Sequence, residues 1–140
     1  MKILVLQGPN LNLVGVKSAQ TGKRITLDKI NRSLRREVRN TEIELKIFQT
    51  HKIYMAISFL QRNRNTASGI LIAPMAWAKY EFSLLETLEL IQLPVVQVIL
   101  EKTVDESQSI LSSIAIDSVH SDDSILAFKN GLKSLMNHLS

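Results

Sequence analysis

The chain has 140 residues, of which 45% are hydrophobic and 21% charged, with a net charge of +4 and a mean hydropathy of +0.07. This length predicts one domain spanning residues 1–140 with a core of its own, and the composition excludes a disordered chain, which combines low hydrophobicity with high net charge. Cysteine is absent, which excludes a disulfide framework, a thiolate-ligated zinc site and a cysteine nucleophile. We therefore expect a cytoplasmic protein. We also expect no cofactor and no metal ion.

Five short segments predict strands. Residues 2–7 form a continuous apolar run, whereas residues 42–50 alternate polar and apolar side chains, which indicates one wetter face. Residues 69–73 and 94–100 are again continuous apolar runs, as expected of strands buried on both faces of a parallel sheet. Residues 113–119 are a weaker fifth candidate.

Four intervening segments carry apolar residues at helical spacing. The four stripes are Leu27, Ile30, Leu34 and Val38; Ile53, Ala56, Ile57 and Leu60; Phe82, Leu85, Leu88 and Ile91; and Ile125, Phe128, Leu132 and Leu135. Thr26 is placed to cap the first helix, and Ser121, Asp122 and Asp123 open the last. Strands that alternate with helices require crossover connections, so we predict a flavodoxin-like α/β fold, a five-stranded parallel sheet with helices on both faces.

Ligands of such sheets bind outside the carboxyl ends of the strands. After the first strand come Gly8-Pro9, which form a turn, and the amides Asn10 and Asn12. These amides either meet a ligand or bond their own backbone, as asparagine does in turns.

Several segments of the chain match one known family. They are MKILVLQGPNLNL at the start, Gly15, Thr26–Asn31, Phe48–Thr50, Gly69–Ile72 followed by Pro74, Leu93–Val98, and the helix from Phe128 to Leu135. Together they resemble type II 3-dehydroquinate dehydratases over nearly the whole chain. The resemblance implies the flavodoxin-like fold, assembly of trimers into dodecamers, and a place in the shikimate pathway of aromatic amino acid biosynthesis.

The resemblance also implies a mechanism, the anti elimination of water from 3-dehydroquinate to give 3-dehydroshikimate. In the family a tyrosinate tuned by an arginine removes a proton, an asparagine-held water stabilises the enolate, and a histidine protonates the leaving hydroxyl. Asn10 matches the asparagine of the GPN motif. The arginine falls on Lys17, the tyrosine on Gly22, the asparagine of the Asn-Pro-Gly turn on Ala73, and the acid on Ile99.

We therefore expect a catalytically degenerate member of this family, because the residues at the matching positions do not supply the catalytic groups. A small-carboxylic-acid or anion cleft is the expected remnant. Its candidate residues are Asn10, Lys17, Lys79, Leu100 and Glu101, with the reservation that the Glu101 carboxylate repels an anion. No arginine follows Arg64, so the family's substrate-gripping arginine has no counterpart.

Two alternatives stay open. In the first, the protein is an active dehydratase in which Lys17, Lys79 or Tyr80 acts as base. In the second, it is a scaffold or nucleic-acid-binding protein that uses the basic helix 27–39, although no nucleic-acid motif or aromatic-interleaved basic patch supports direct readout. The charge is divided into +9 for residues 1–70 and −5 for residues 71–140, which favours a homo-oligomer. We expect no membrane contact.

Overall fold

The computed structural model describes residues 1–20, 22, 24–100 and 108–140. Its strands are β1 (Lys2–Gln7), β2 (Glu44–Gln49), β3 (Gly69–Ala73), β4 (Val95–Ile99) and β5 (Asp117–His120). They form a five-stranded sheet in the order β2-β1-β3-β4-β5, in which every neighbouring pair is parallel. This is the flavodoxin-like order, so the predicted fold is confirmed.

In the part of the chain that the structure describes, six helices connect or flank these strands. They are α1 (Val14–Ala19), α2 (Leu27–Glu37), α3 (Ile53–Asn63), α4 (Trp77–Tyr80), α5 (Phe82–Ile91) and α6 (Ser124–Leu139), with 3₁₀ turns at Leu11–Leu13 and Ile110–Ser113. The caps expected from the sequence are present: the Thr26 side chain accepts a hydrogen bond from the backbone N–H of Lys29 at 3.2 Å, and Asp123 accepts one from Leu126 at 3.1 Å.

Successive side chains of the central strands point to opposite faces, and each face is covered by its own helices. Ile3 and Val5 of β1 pack with residues of α2 and α6, whereas Leu4 and Leu6 pack with residues of α3 and α5. All four are fully buried. The continuous apolar runs of the sequence follow from this two-sided burial.

A buried polar cluster joins β4, β5 and the 3₁₀ turn between them. Gln97, fully buried on β4, donates from its amide nitrogen to the hydroxyls of Ser112 and Ser118 at 2.8 and 2.7 Å, and its amide oxygen accepts from Ser109 at 2.7 Å. Ser109 also accepts from the backbone N–H of Leu111 at 3.2 Å. The predicted start of the fifth strand at residue 113 is therefore wrong, because this segment turns to cap itself and to satisfy Gln97 before β5 begins.

Helix α6 packs closely on the sheet at Gly131. A Cβ there would lie 2.9 Å from side-chain carbons of both Leu71 and Val98. The glycine thus allows the helix backbone to approach β3 and β4 more closely than any other residue would permit.

Within the described residues, no helix combines the length and the apolar character needed to cross a membrane.

Candidate functional site

A pocket of about 180 Å³ opens beside the carboxyl ends of β1, β3 and β4. Its described lining comprises Pro9 and Asn10 after β1; Pro74, Met75, Ala76, Ala78 and Lys79 after β3; and Val98, Ile99 and Leu100 at the end of β4. The pocket lies next to the point where the sheet order reverses, since β1 has β2 on one side and β3 on the other. Doubly wound sheets bind their ligands at such points.

Gly8 joins the pocket wall after β1 to the wall after β3. Its N–H donates to the carbonyl oxygen of Ala73 at 2.9 Å, and a Cβ at Gly8 would lie 2.6 Å from the carbonyl oxygen of Pro74. On the other side, the side-chain amide of Gln49 donates to the Gly8 carbonyl oxygen at 3.1 Å. The ends of β1, β2 and β3 are held together here at a spacing that only glycine fits.

Met75 holds an uncommon backbone conformation in the pocket wall. Its φ of 54° is in the left-handed region, which costs a residue with a Cβ about 1–2 kcal/mol. Its side chain is half-buried and packs against the core cluster on the α6 face of the sheet. Met75 was not among the residues expected at the site. The Asn-Pro-Gly turn of the family has glycine at this position, and that glycine could have indicated a positive φ here.

Polar and apolar groups of the pocket differ in depth. Asn10, Ala76 and Lys79 are exposed and form the rim. The buried residues form the floor, and their side chains are apolar: Pro74, Ala78, Val98 and Ile99. Among the described lining residues, Lys79 has the one ionisable side chain.

Four of the residues expected at the site come together in this pocket: Asn10, Lys79, Ile99 and Leu100. Asn10 has a φ of 68°, which asparagine tolerates better than most residues, and its side chain does not cap the 3₁₀ turn that follows it. Ile99 is 4% exposed and presents only carbon atoms from its side chain. The hydrocarbon side chain of Ile99 cannot transfer a proton.

Two of the other expected positions are described, and neither lines the pocket. Ala73 is fully buried at the end of β3 and is not among the lining residues. Gly22 has a φ of 84°, is exposed, and has no neighbouring atom within 4 Å of the place where a Cβ would stand. Glu101 and the side chain of Lys17 lie outside what the structure describes.

The described histidine and aromatic side chains stand apart from the pocket. His51, His120 and His138 are exposed, and none is a lining residue. Trp77 is buried in the core on the α3 and α5 face of the sheet, whereas Tyr80 is exposed. Among the described residues, no group of three or more histidine, aspartate or glutamate side chains could hold a metal ion.

The parallel doubly wound sheet and its pocket define a flavodoxin-like α/β protein with a site of small-molecule size. The family model described as "Dehydroquinase class II" matches residues 1–130. The chain belongs to this family, the type II dehydroquinases.

Individual relatives agree with the family model. The 3-dehydroquinate dehydratase of Geotalea daltonii is 31% identical over 145 residues and is matched over 99% of both chains. That of Halothermothrix orenii is 30% identical over 122 residues, or 84% of this chain and 82% of the relative. The crystal structure of type II dehydroquinase from Butyrivibrio crossotus has a TM-score of 0.82 at 19% identity, covering 99% of this chain and 97% of that one, which supports the fold.

Proposed function

We propose that this chain is a catalytically degenerate type II dehydroquinase homologue that keeps a cleft for a small acid or anion. One observation carries the proposal. The described lining of the pocket has a single ionisable side chain, the exposed Lys79, and has buried Ile99 at the position to which the resemblance assigns the acid.

Dehydration of 3-dehydroquinate needs two proton transfers. A base must remove the proton beside the ketone, and an acid must protonate the leaving hydroxyl. The resemblance assigns these roles to Gly22, which has no side chain, and to Ile99, whose side chain carries no proton that it can exchange. Losing one such group costs about 10²–10⁴-fold, and losing both costs at least as much as losing one.

A steady-state assay of 3-dehydroshikimate formation at high protein concentration tests the proposal. The Geotalea daltonii enzyme in the same assay serves as the positive control. We expect a rate at least about 10²-fold below that control. A rate within about tenfold of the control would overturn the proposal, because the two missing groups could not then be essential.

Lys79 favours one alternative, an active 3-dehydroquinate dehydratase with relocated groups, because its side chain lines the pocket. In that case Lys79→Ala abolishes a measurable turnover. Lys133→Ala, which removes an exposed lysine from α6, is the matched control and retains the turnover. Under our proposal neither variant changes the rate that is measured, because Lys79 does not act as the base.

We also propose a cytoplasmic homo-oligomer built from trimers, with the dodecamer of the family as its largest form. The cysteine-free sequence supports the compartment, and family membership together with the uneven charge supports the assembly.

A further inference from the structure

We infer that the pocket binds a compact, largely apolar carboxylate in preference to 3-dehydroquinate, the polyhydroxylated ring acid for which its relatives are named. This inference rests on the proposed function, because it assigns a ligand class to the same cleft. It is carried by three properties of the described lining: its size, the depth at which its polar groups lie, and the sign of its charge.

The size of the pocket fits one small ring. An apolar cavity of about 150 Å³ accommodates benzene, and this pocket measures about 180 Å³. A six-membered ring or a short branched chain therefore fills it, with the remaining space directed to the open rim.

The apolar side chains of the buried floor disfavour hydroxyl groups on a ligand. The floor residues Ala78, Val98 and Ile99 are no more than 4% exposed, and their side chains offer neither a hydrogen-bond donor nor an acceptor. A ring hydroxyl pressed against them loses its water without gaining a partner, which weakens binding by about tenfold or more for each such group. A hydrocarbon ring gains affinity from the same surface by leaving water.

The rim selects for a single negative group. Lys79 and Asn10, which are both exposed, line the pocket and form its rim. An ammonium and an amide N–H can both donate to a carboxylate. No aspartate or glutamate is among the described lining residues, so the charge of this part of the rim is positive.

A comparison of two ring acids tests the inference. Cyclohexanecarboxylate and quinate carry the same carboxylate on a six-membered ring, but quinate adds hydroxyls. Binding is followed by titration of backbone amide resonances of the full chain. We expect cyclohexanecarboxylate to bind at least about tenfold more tightly than quinate, with the largest shifts at residues 74–79 and 98–100.

Variants of the rim test the role of charge. Lys79→Met keeps an unbranched apolar stem and removes the ammonium. We expect it to weaken binding of cyclohexanecarboxylate about two- to fivefold, the range for an exposed ion pair, and to leave binding of neutral cyclohexylmethanol unchanged. Lys133→Met, outside the pocket, is the matched control and should bind both compounds as the wild type does.

Quinate binding as tightly as cyclohexanecarboxylate would overturn the inference, and so would failure of both acids to bind or shifts confined to residues outside the pocket. These results are separable from failure of the proposed function. A chain that turns over 3-dehydroquinate refutes the degenerate assignment by rate, whereas a catalytically silent chain that prefers quinate refutes only the apolar ligand class.

Discussion

Gly8 positions two walls of the pocket through the absence of a side chain. A Cβ at this residue would meet the carbonyl oxygens of Pro74 and Ala73 at 2.6 and 2.9 Å. Both are backbone atoms of the facing turn and cannot rotate away as a flexible side chain could. Any larger residue must therefore separate the loop after β1 from the turn after β3.

Gly8→Ala should lower the free energy of unfolding by about 1–3 kcal/mol, the usual cost of forcing extra volume into a packed site. Urea unfolding measures this change. Gly15→Ala is the matched control, because a Cβ there would meet its nearest neighbour, the Thr26 methyl, at an ordinary 3.4 Å. Its effect should stay below about 1 kcal/mol. Equal unfolding midpoints for the two variants would contradict the role of Gly8.

Met75 offers a test of backbone strain that separates conformation from lost packing. Met75→Ala and Met75→Gly remove nearly the same side chain, but only alanine keeps a Cβ at positive φ. We expect the glycine variant to be more stable than the alanine variant by about 1 kcal/mol. The same pair at Lys133, inside α6, should show the reverse order by about 0.5–1 kcal/mol, as is usual in helices. If the alanine and glycine variants had the same order of stability at both positions, backbone strain at Met75 would be refuted.

Some of the candidate binding residues named from the sequence lie at the pocket, and their binding of a ligand stays a prediction. Asn10 and Lys79 were expected at the site, and both line it. Met75 was not expected, because a positive φ is imposed by the turn that surrounds it rather than by the preference of methionine. The apolar floor was not predicted either, because the sequence indicates only that Val98 belongs to a buried strand.

Helices and strands were predictable where the sequence shows a helical apolar stripe or a continuous apolar run. The stripe that begins at Leu27 gives α2, and the continuous run at residues 69–73 gives β3. Helices α1 and α4 were missed, because segments of 6 and 4 residues are too short for an apolar stripe to stand out. The start of the fifth strand was misplaced because its serines serve a distant partner, Gln97, which local pattern cannot reveal.

The Gln97 cluster fixes how β5 and the preceding 3₁₀ turn attach to β4. Ser109→Ala would leave the buried amide oxygen of Gln97 without its donor and the Leu111 N–H without its acceptor. We expect a loss of about 1–3 kcal/mol in the free energy of unfolding, the cost of orphaned buried polar groups.

The matched control for this prediction is Ser113→Ala, in the same turn. Ser113 is exposed and donates only a long hydrogen bond of 3.4 Å to the Ile110 carbonyl oxygen. Its change should stay within about 0.5 kcal/mol. A Ser109→Ala variant as stable as Ser113→Ala would show that water or a rearranged side chain satisfies Gln97.

At the scale of the whole molecule, charge differs between two helices that lie on opposite faces of the sheet. Helix α2 and the turn after it carry an exposed basic group of residues: Lys29, Arg32, Arg35 and Arg36 in the helix, and Arg39 beyond it. Helix α5, on the opposite face, exposes Glu86 and Glu89 beside Phe82 and Leu90. Within α2, Arg32 pairs with Asp28 on the same surface. This arrangement suits contacts between copies in which the basic group of one meets helix α5 of the next.

Light scattering tests this proposed assembly. At low salt we expect a mass that is a multiple of the 15.8 kDa chain, with trimers as the smallest repeating unit. Raising the salt should reduce the mass if the opposed charges contribute, since exposed charges are screened beyond about 10 Å at 0.1 M salt. A 15.8 kDa species at every salt and protein concentration would refute the assembly.

The close packing at Gly131 affects the pocket through Val98. Val98 takes part in both, because one of its methyl groups lies near the position of an added Cβ at residue 131 and the residue also lines the pocket. A larger residue at 131 would push from behind and shrink the space available to a ligand that it never touches. The size of the ligand that fits can therefore be changed by a substitution in α6, while every described residue that lines the pocket stays the same.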